Sequence, residues 1–282
     1  MMTTGFSKYI YGPVPSRRLG RSLGVDLIPF KICTYDCIYC QLGKTTEKTM
    51  ERRCYVPIKD VLSELKIKLA AEERVDHITI AGSGEPTLHS EIGELIARIK
   101  DITNIPLVVL TNGSLLYLEE VRDALMSADI IIPSLDAGDE DMFRHVNRPH
   151  NCILFENMVN GLIKFAGDFS GLLWLEVFLL SGLTGMPAEA RKIARYANII
   201  GAKKIHLNTV YRPPAEDFAC PVDDRQIKKL APLFQGMVEI AGADKNPAIK
   251  GISAHKTTSK EILNLLRRRP CTLADICAST GL

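Results

Sequence analysis

The residues best suited to chemistry lie in "KICTYDCIYCQLG", positions 31–43, where Cys33, Cys37 and Cys40 are separated by three and then two intervening residues. Soft thiolates select zinc or iron–sulfur centres. A closed zinc site takes four ligands, usually from two knuckles with a pair of residues between ligands. Only Cys37 and Cys40 form such a pair, and Cys54 is the nearest further thiol. The other reading is a four-iron cluster held by three thiolates, with one iron left open to bind something else. That arrangement is catalytic rather than electron-carrying. Residue types and spacing alone keep both readings open.

The elements that must position these thiols are legible as alternating strands and helices. Strand candidates are "SLGVDLI" (22–28), "VDHITIAG" (75–82), "IPLVVLT" (105–111), "ADIIIPSL" (128–135), "LLWLEVFLL" (172–180) and "KKIHLNTV" (203–210). Most are near-continuous apolar runs, as in parallel strands covered on both faces. Leu88, Ile92, Leu95, Ile96 and Ile99 mark one helical stripe, and Ala190, Ile193, Ala194, Ala197 and Ile200 another. Six βα units predict an α/β fold with a parallel sheet and right-handed crossovers, either doubly wound or a barrel. The glycine-rich and polar motifs follow the strands directly: "GSGEPT" (82–87), "TNG" (111–113), "PSLDAG" (133–138) and "NTVYRPP" (208–214). Ligands bind at the carboxyl ends of strands in both architectures. Several such ends converging on one site favour a partial (βα)6 TIM-like barrel.

The chain has 282 residues, 46% hydrophobic and 24% charged, with a formal net charge of +2. These values describe a folded globular protein, and the net charge is too small to demand a polyanionic partner, although local basic clusters can still meet one. The N-terminal "MMTTGFSKYIYGPVPSRR" lacks an apolar signal core, and no run reaches membrane-span length. Eight cysteines then read as metal ligands or buried thiols of a cytoplasmic protein, not as a disulfide framework. The division expected is a barrel over 1–240 and a helical extension over 241–282. In the tail, a helix ending in Arg267, Arg268 and Arg269 precedes Pro270 and a second short helix from Thr272 to near Gly281. This reads as a truncated winged-helix or as a cap on the barrel's open end. From 256 onward five basic residues face two acidic ones, so contact with nucleic acid is one expectation for this segment.

At the cysteine motif the chain resembles the radical S-adenosylmethionine superfamily, whose signature is C-x3-C-x2-C; here aromatic Tyr39 precedes the last cysteine. "GSGEP", "TNG" and "SLDA" fall where that superfamily uses its second, third and fourth strand ends. The resemblance spans residues 10–240. It implies a [4Fe-4S] cluster on Cys33, Cys37 and Cys40. S-adenosylmethionine would lie near Tyr39, Gly82, Gly84, Glu85, Thr111, Asn112, Ser134 and Asp136. It also implies reductive cleavage of that cofactor to a 5′-deoxyadenosyl radical acting on an unassigned substrate, RNA and protein among the classes. Cluster potentials span roughly −700 to +450 mV. This reaction needs the low end, hence an external donor of flavodoxin or ferredoxin type.

More narrowly, "YGPVPSRRLGRSLGVDLIPFKICTYDCIYCQLG" and "LDAGDEDMFRHVNRPH" resemble iron–sulfur oxidoreductases related to the enzyme that builds the tricyclic wyosine base in tRNA. That enzyme resembles a protein with a second, N-terminal cysteine cluster. None of the 32 residues before Cys33 is cysteine, so its reaction is not carried over.

Plainer roles compete at each position. Gly82 and Gly84 also serve to turn the chain, and Glu85 also reads as a solvated loop acid. Thr111, Asn112 and Gly113 also fit a helix cap and turn. Ser134 and Asp136 also fit caps for a helix near Asp139, and Tyr39 also fits core packing. Arg148, His150, Asn208 and Arg212 are candidates for substrate or cofactor contact. Arg17, Arg18 and Arg21 are candidates for gripping a phosphate or carboxylate. A different class of function is an iron–sulfur redox sensor that binds nucleic acid through the tail; a scaffold of six βα units argues against it.

Overall fold

A computed structural model of the chain describes residues 7–16, 18–71 and 74–240, together with Leu263 and Leu266. The expected extension over 241–282, its winged-helix reading and its basic residues lie outside the described residues, those two leucines apart. Arg17 lies outside them as well.

The chain opens with a hairpin, β1 (Ile10–Ser16) and β2 (Gly20–Val25), and the loop after β2 carries two very short strands, β3 (Ile32–Cys33) and β4 (Glu47–Lys48). Then follow α1 (Ile58–Ala71), β5 (His77–Ile80), α2 (Ile92–Ile102), β6 (Leu107–Thr111), α3 (Glu119–Leu125) and β7 (Ile130–Pro133). Helices α4 (Glu140–Val146) and α5 (Phe155–Asp168) lead to β8 (Leu172–Phe178). The last elements are α6 (Pro187–Ile200), β9 (Lys204–Asn208), α7 (Asp224–Leu230) and β10 (Met237–Ile240).

All six expected strands form, and they are neighbours in chain order within one sheet, β2-β5-β6-β7-β8-β9, every pair parallel. Besides the short β3 and β4, two strands of this sheet were not foreseen. β1 adds antiparallel to β2 at one edge, and β10 adds parallel to β9 at the other. The two edges are not paired with each other, so the barrel is open.

The two sides of the sheet separate by the two-residue period of a strand. One register row, Val25, Ile80, Val109, Ile131 and Leu173, is buried in the large core beneath the helices. The neighbouring positions Val108, Ile130 and Ile132 point the other way and pack with Leu19, Leu110 and Trp174 in a separate cluster. Leu19 belongs to the β1–β2 turn, so the hairpin closes the barrel's amino end with an apolar plug. The carboxyl end is left to polar residues.

Local signals fix the helix ends. Asp139 caps α4 by accepting from the Met142 N–H, and Asp223 caps α7 through the Gln226 N–H. The α2 stripe runs from Ile92, while Leu88 belongs to a separate short 3-10 turn, Pro86–Leu88. Proline at 86 stops the preceding loop from continuing as a helix donor and starts that turn.

Candidate active site

The cysteine loop leaves β2 at the carboxyl mouth and is tied to the neighbouring strand ends by backbone. Lys31 N–H donates to Ser83 O at 2.7 Å, and Glu85 N–H to Ile32 O at 3.2 Å. Gly82 and Gly84 make this approach feasible. A Cβ on Gly84 would lie 2.0 Å from Ile32 O, and one on Gly82 would lie 2.3 Å from the Asp26 carboxyl. Asp26 in turn accepts from Ser83 N–H at 3.0 Å and Ser83 Oγ at 2.6 Å. The two glycines are therefore required by close approach of two segments.

Each of the three sulfurs receives one N–H donor, and the donors come from three different places. Lys31 Nζ is 3.2 Å from Cys40 Sγ, Asn112 Nδ2 is 3.6 Å from Cys33 Sγ, and Asn147 Nδ2 is 3.5 Å from Cys37 Sγ. Burial, aided by the Glu85 charge, pushes the Cys33 thiol up to about 12. Burial, then repulsion from Cys40 and Cys33, pushes the Cys37 thiol well above the usual range. Buried sulfurs whose thiolate forms are disfavoured at Cys33 and Cys37 are the donor set that a cationic iron core would relieve. Tyr35, between Cys33 and Cys37, adds a buried hydroxyl that lacks a hydrogen-bond partner among the described residues. The residues therefore fit the group that the sequence resemblance implies.

Among the described residues a closed zinc site is not assembled. Cys54 is exposed, its thiol facing Val56 O and Glu91, and Cys152 and Cys220 are exposed too. Among the described residues no three His, Cys, Asp or Glu side chains gather around a single metal ion.

Glu85 occupies a place that its sequence reading did not suggest. It is 2% exposed, and its Oε1 accepts from Thr87 N–H at 3.0 Å, Thr87 Oγ1 at 2.7 Å and Thr111 Oγ1 at 2.6 Å. Oε2 accepts from Asn112 N–H at 2.7 Å. Burial raises its carboxyl, and those four bonds oppose the rise. It is not a solvated loop acid; it couples the "GSGEP" loop to the end of β6. Asn112, held by that bond, turns its amide to Thr34 Oγ1 at 2.7 Å as well as to Cys33. Thr111 is buried, and Asn112 Oδ1 accepts from Ser114 N–H at 2.9 Å, forming a local turn well before α3 begins.

Asp136 plays the matching part after β7. It accepts from the Tyr39 hydroxyl, from Asn147 Nδ2 at 2.9 Å and from Phe178 N–H at 2.9 Å. Burial pushes its carboxyl up to about 6 against those bonds. Tyr39 stacks on Phe178 with ring centres 4.0 Å apart. Asn147 thus bridges Asp136 and Cys37. Neither Ser134 nor Asp136 caps α4, because Asp139 does so itself. Ser134 is half-buried beside Glu176.

The outer candidates divide. Asn208 Nδ2 donates to Glu176 Oε1 at 2.9 Å, and Arg18 from the hairpin turn pairs with Glu176 Oε2. Burial disfavours the Glu176 charge, yet Arg18 and Asn208 hold its carboxyl below the usual range. Arg148 donates to Glu216 at 2.6 Å and Arg212 to Gln41 at 2.8 Å, both packing the 210–219 segment over the cysteine loop. His150 meets Thr34 O through its backbone N–H at 2.8 Å. Arg21 N–H donates to Asp76 at 2.7 Å, away from the mouth. Lys31, Thr34, Asn147, Glu176 and His206 were missed as candidates. Asn147 directly precedes the candidate Arg148 at the end of "LDAGDEDMFRHVNRPH", and an acid inside the apolar run "LLWLEVFLL" was the visible signal for Glu176.

Comparison with known proteins agrees with this geometry. Residues 27–167 match the family model of the Radical SAM superfamily. A UPF0026 protein of Methanocaldococcus jannaschii is 35% identical over 83% of this chain and 73% of its own length. A radical SAM methyltransferase from Sphaerobacter thermophilus shares the fold with a TM-score of 0.60 and 17% identity, over 78% of this chain and 66% of that one. A protein of Brachyspira hyodysenteriae called GTPase Obg is 41% identical over 97% of this chain, but the chain spans only 40% of that protein's length. Gly43-Lys44-Thr45 here lacks the glycine of a phosphate-cradling loop five positions earlier, where Ile38 stands. The chain belongs to the radical SAM superfamily, and it is an enzyme of that kind.

Proposed function

We propose that Cys33, Cys37 and Cys40 hold a [4Fe-4S] cluster at the open barrel's carboxyl mouth, with S-adenosylmethionine bound beside it. The observation that carries this reading is the cysteine loop itself: three sulfurs, three separate N–H donors, and no fourth thiol among the described residues positioned to close the set. When bound, the pair supplies one-electron reductive cleavage of the sulfonium, giving a 5′-deoxyadenosyl radical that removes hydrogen from a substrate.

The chain's own residues do the rest. Gly82 and Gly84 bring the "GSGEP" backbone against the cysteine loop, and Glu85 holds that loop to Asn112. Asp136 fixes Tyr39 and Asn147, and through Asn147 the Cys37 sulfur. In this reading Glu85 and Asp136 act as positioning residues, Asn112 stands beside the Cys33 sulfur, and Ser134 and Tyr39 are proposed cofactor contacts. The apolar plug of Leu19, Val108, Ile130 and Ile132 keeps water out from below, which protects a reactive species from quenching. The electron comes from a low-potential one-electron protein donor. The barrel over 1–240 is the catalytic unit in this reading, and 241–282 is an appended segment able to meet a substrate such as RNA or protein.

Anaerobically reconstituted protein, reduced with dithionite and given S-adenosylmethionine, is expected to form methionine and 5′-deoxyadenosine. An intact cluster and bound cofactor with neither product would leave the redox-sensing reading in its place.

A further inference from the structure

Lys31 is a costly residue in its position. It is 3% exposed, and its φ of +61° is one of only two positive values for non-glycine residues among the described ones. Such strain in an L residue persists where the surroundings over-determine it, and it clusters at functional sites. Here the surroundings are specific. Its N–H is fixed by Ser83 O, and its carbonyl accepts from Thr46 N–H at 3.0 Å, Thr46 Oγ1 at 3.1 Å and Glu47 N–H at 3.3 Å.

This clamp aims the ammonium at Cys40 Sγ, 3.2 Å away. Among the described residues no Asp or Glu is paired with it, although a buried ammonium ordinarily requires an anionic partner. The other two sulfurs receive neutral amides at longer range, 3.6 Å from Asn112 and 3.5 Å from Asn147. The site therefore gives one sulfur a full positive charge and the others only dipoles.

We propose that Lys31 is the counter-charge of the iron–sulfur centre, its ammonium on the Cys40 thiolate stabilising the reduced state and raising the centre's reduction potential. The inference rests on the reading of the three cysteines as cluster ligands. Adding an electron to a centre already bound by three thiolates increases negative charge in a buried, weakly screened site. Net charge and hydrogen bonds to sulfur are among the factors that set such potentials. One lysine supplies both, and brings the centre within reach of a low-potential one-electron donor.

The test compares full-length wild type with Lys31→Met and Lys31→Arg, all reconstituted anaerobically. Iron and sulfide content are measured, and the reduced cluster is followed by electron paramagnetic resonance during a dithionite redox titration. Lys31→Met is expected to keep its iron, with a reduced-to-oxidised ratio at least tenfold lower at fixed ambient potential. For a one-electron couple that is a midpoint about 59 mV lower. Lys31→Arg is expected to stay within threefold of wild type. A fully loaded Met variant with an unchanged midpoint overturns the proposal. If the Met variant takes up no cluster, an Arg variant loaded at the wild-type midpoint supports it, and an Arg variant without cluster overturns it. A wild type that takes up no iron and sulfide defeats the cluster reading instead.

Discussion

The two walls of the barrel mouth treat buried charge in opposite ways. On the wall of β5–β7, each buried acid is saturated: Glu85 accepts four hydrogen bonds and Asp136 three. Through Asn112 the first reaches Cys33, and through Asn147 the second reaches Cys37. On the wall of β8–β10, Glu176, His206 and Glu239 share one register row, and the charges are looser. His206 is 1% exposed, with Nδ1 3.5 Å from Glu239 and Nε2 lacking a partner among the described residues. Native interiors rarely leave polar atoms unpaired without a reason. The first wall is built as a rigid holder, and the second keeps hydrogen-bonding capacity in reserve inside the barrel.

The largest expected effect falls on the holder. Cys37→Ala should abolish the four-iron signal and all 5′-deoxyadenosine formation; a variant with a normal cluster and normal turnover removes Cys37 from the ligand set. Glu85→Ala strands four donors, two on Thr87 and one each on Thr111 and Asn112. Its expected cost is about 3 kcal/mol in denaturant unfolding of the apoprotein, since each buried unmet group costs roughly 1–3 kcal/mol. A loss below about 1 kcal/mol would mean the loops close without it.

The opposite wall is read by pH. Burial, reinforced by Arg18, pushes His206 down to about 4 from its usual 6.5. Between those values the unfolded chain binds a proton that the folded chain does not. The stability contributed is complete above pH 6.5 and is lost as pH falls towards 4. His206→Gln should flatten that part of the stability–pH curve, and an unaltered slope would show that His206 is not held neutral. The smallest effect belongs to the exterior clasp. Arg148→Ala, breaking the partly exposed pair with Glu216, should shift the unfolding midpoint least of these variants, and a shift as large as that of Glu85→Ala would show that the clasp holds the mouth together.

Much of this was readable from residue order. The continuous apolar runs specified parallel strands because only a sheet covered on both faces tolerates them. The polar motifs just after those runs marked the mouth. The edge strands were hidden for physical reasons. β1, "IYGPVPS", contains two prolines and resembles a loop, and it survives as an edge strand where missing donors face outward. β10, "MVEI", is four residues long and mixes charge with apolar side chains, so no period stands out. Glu85 was placed near the cofactor by the resemblance of "GSGEP", and its full burial was not legible from the sequence. Its burial depends on Thr111 and Asn112, 26 and 27 residues away.

The order of residues alone determined the three sulfurs, the six βα repeats and the carboxyl-end location of the motifs. Each of these is a local property, set by side-chain type, short spacing or strand period. Which groups reach the sulfurs was decided only in three dimensions. Lys31, Asn112 and Asn147 belong to separate segments, and their donors converge because the sheet sets the strand ends side by side. Contacts across more than a hundred residues, such as Asn147 to Cys37, arise from packing and leave no pattern in the chain itself.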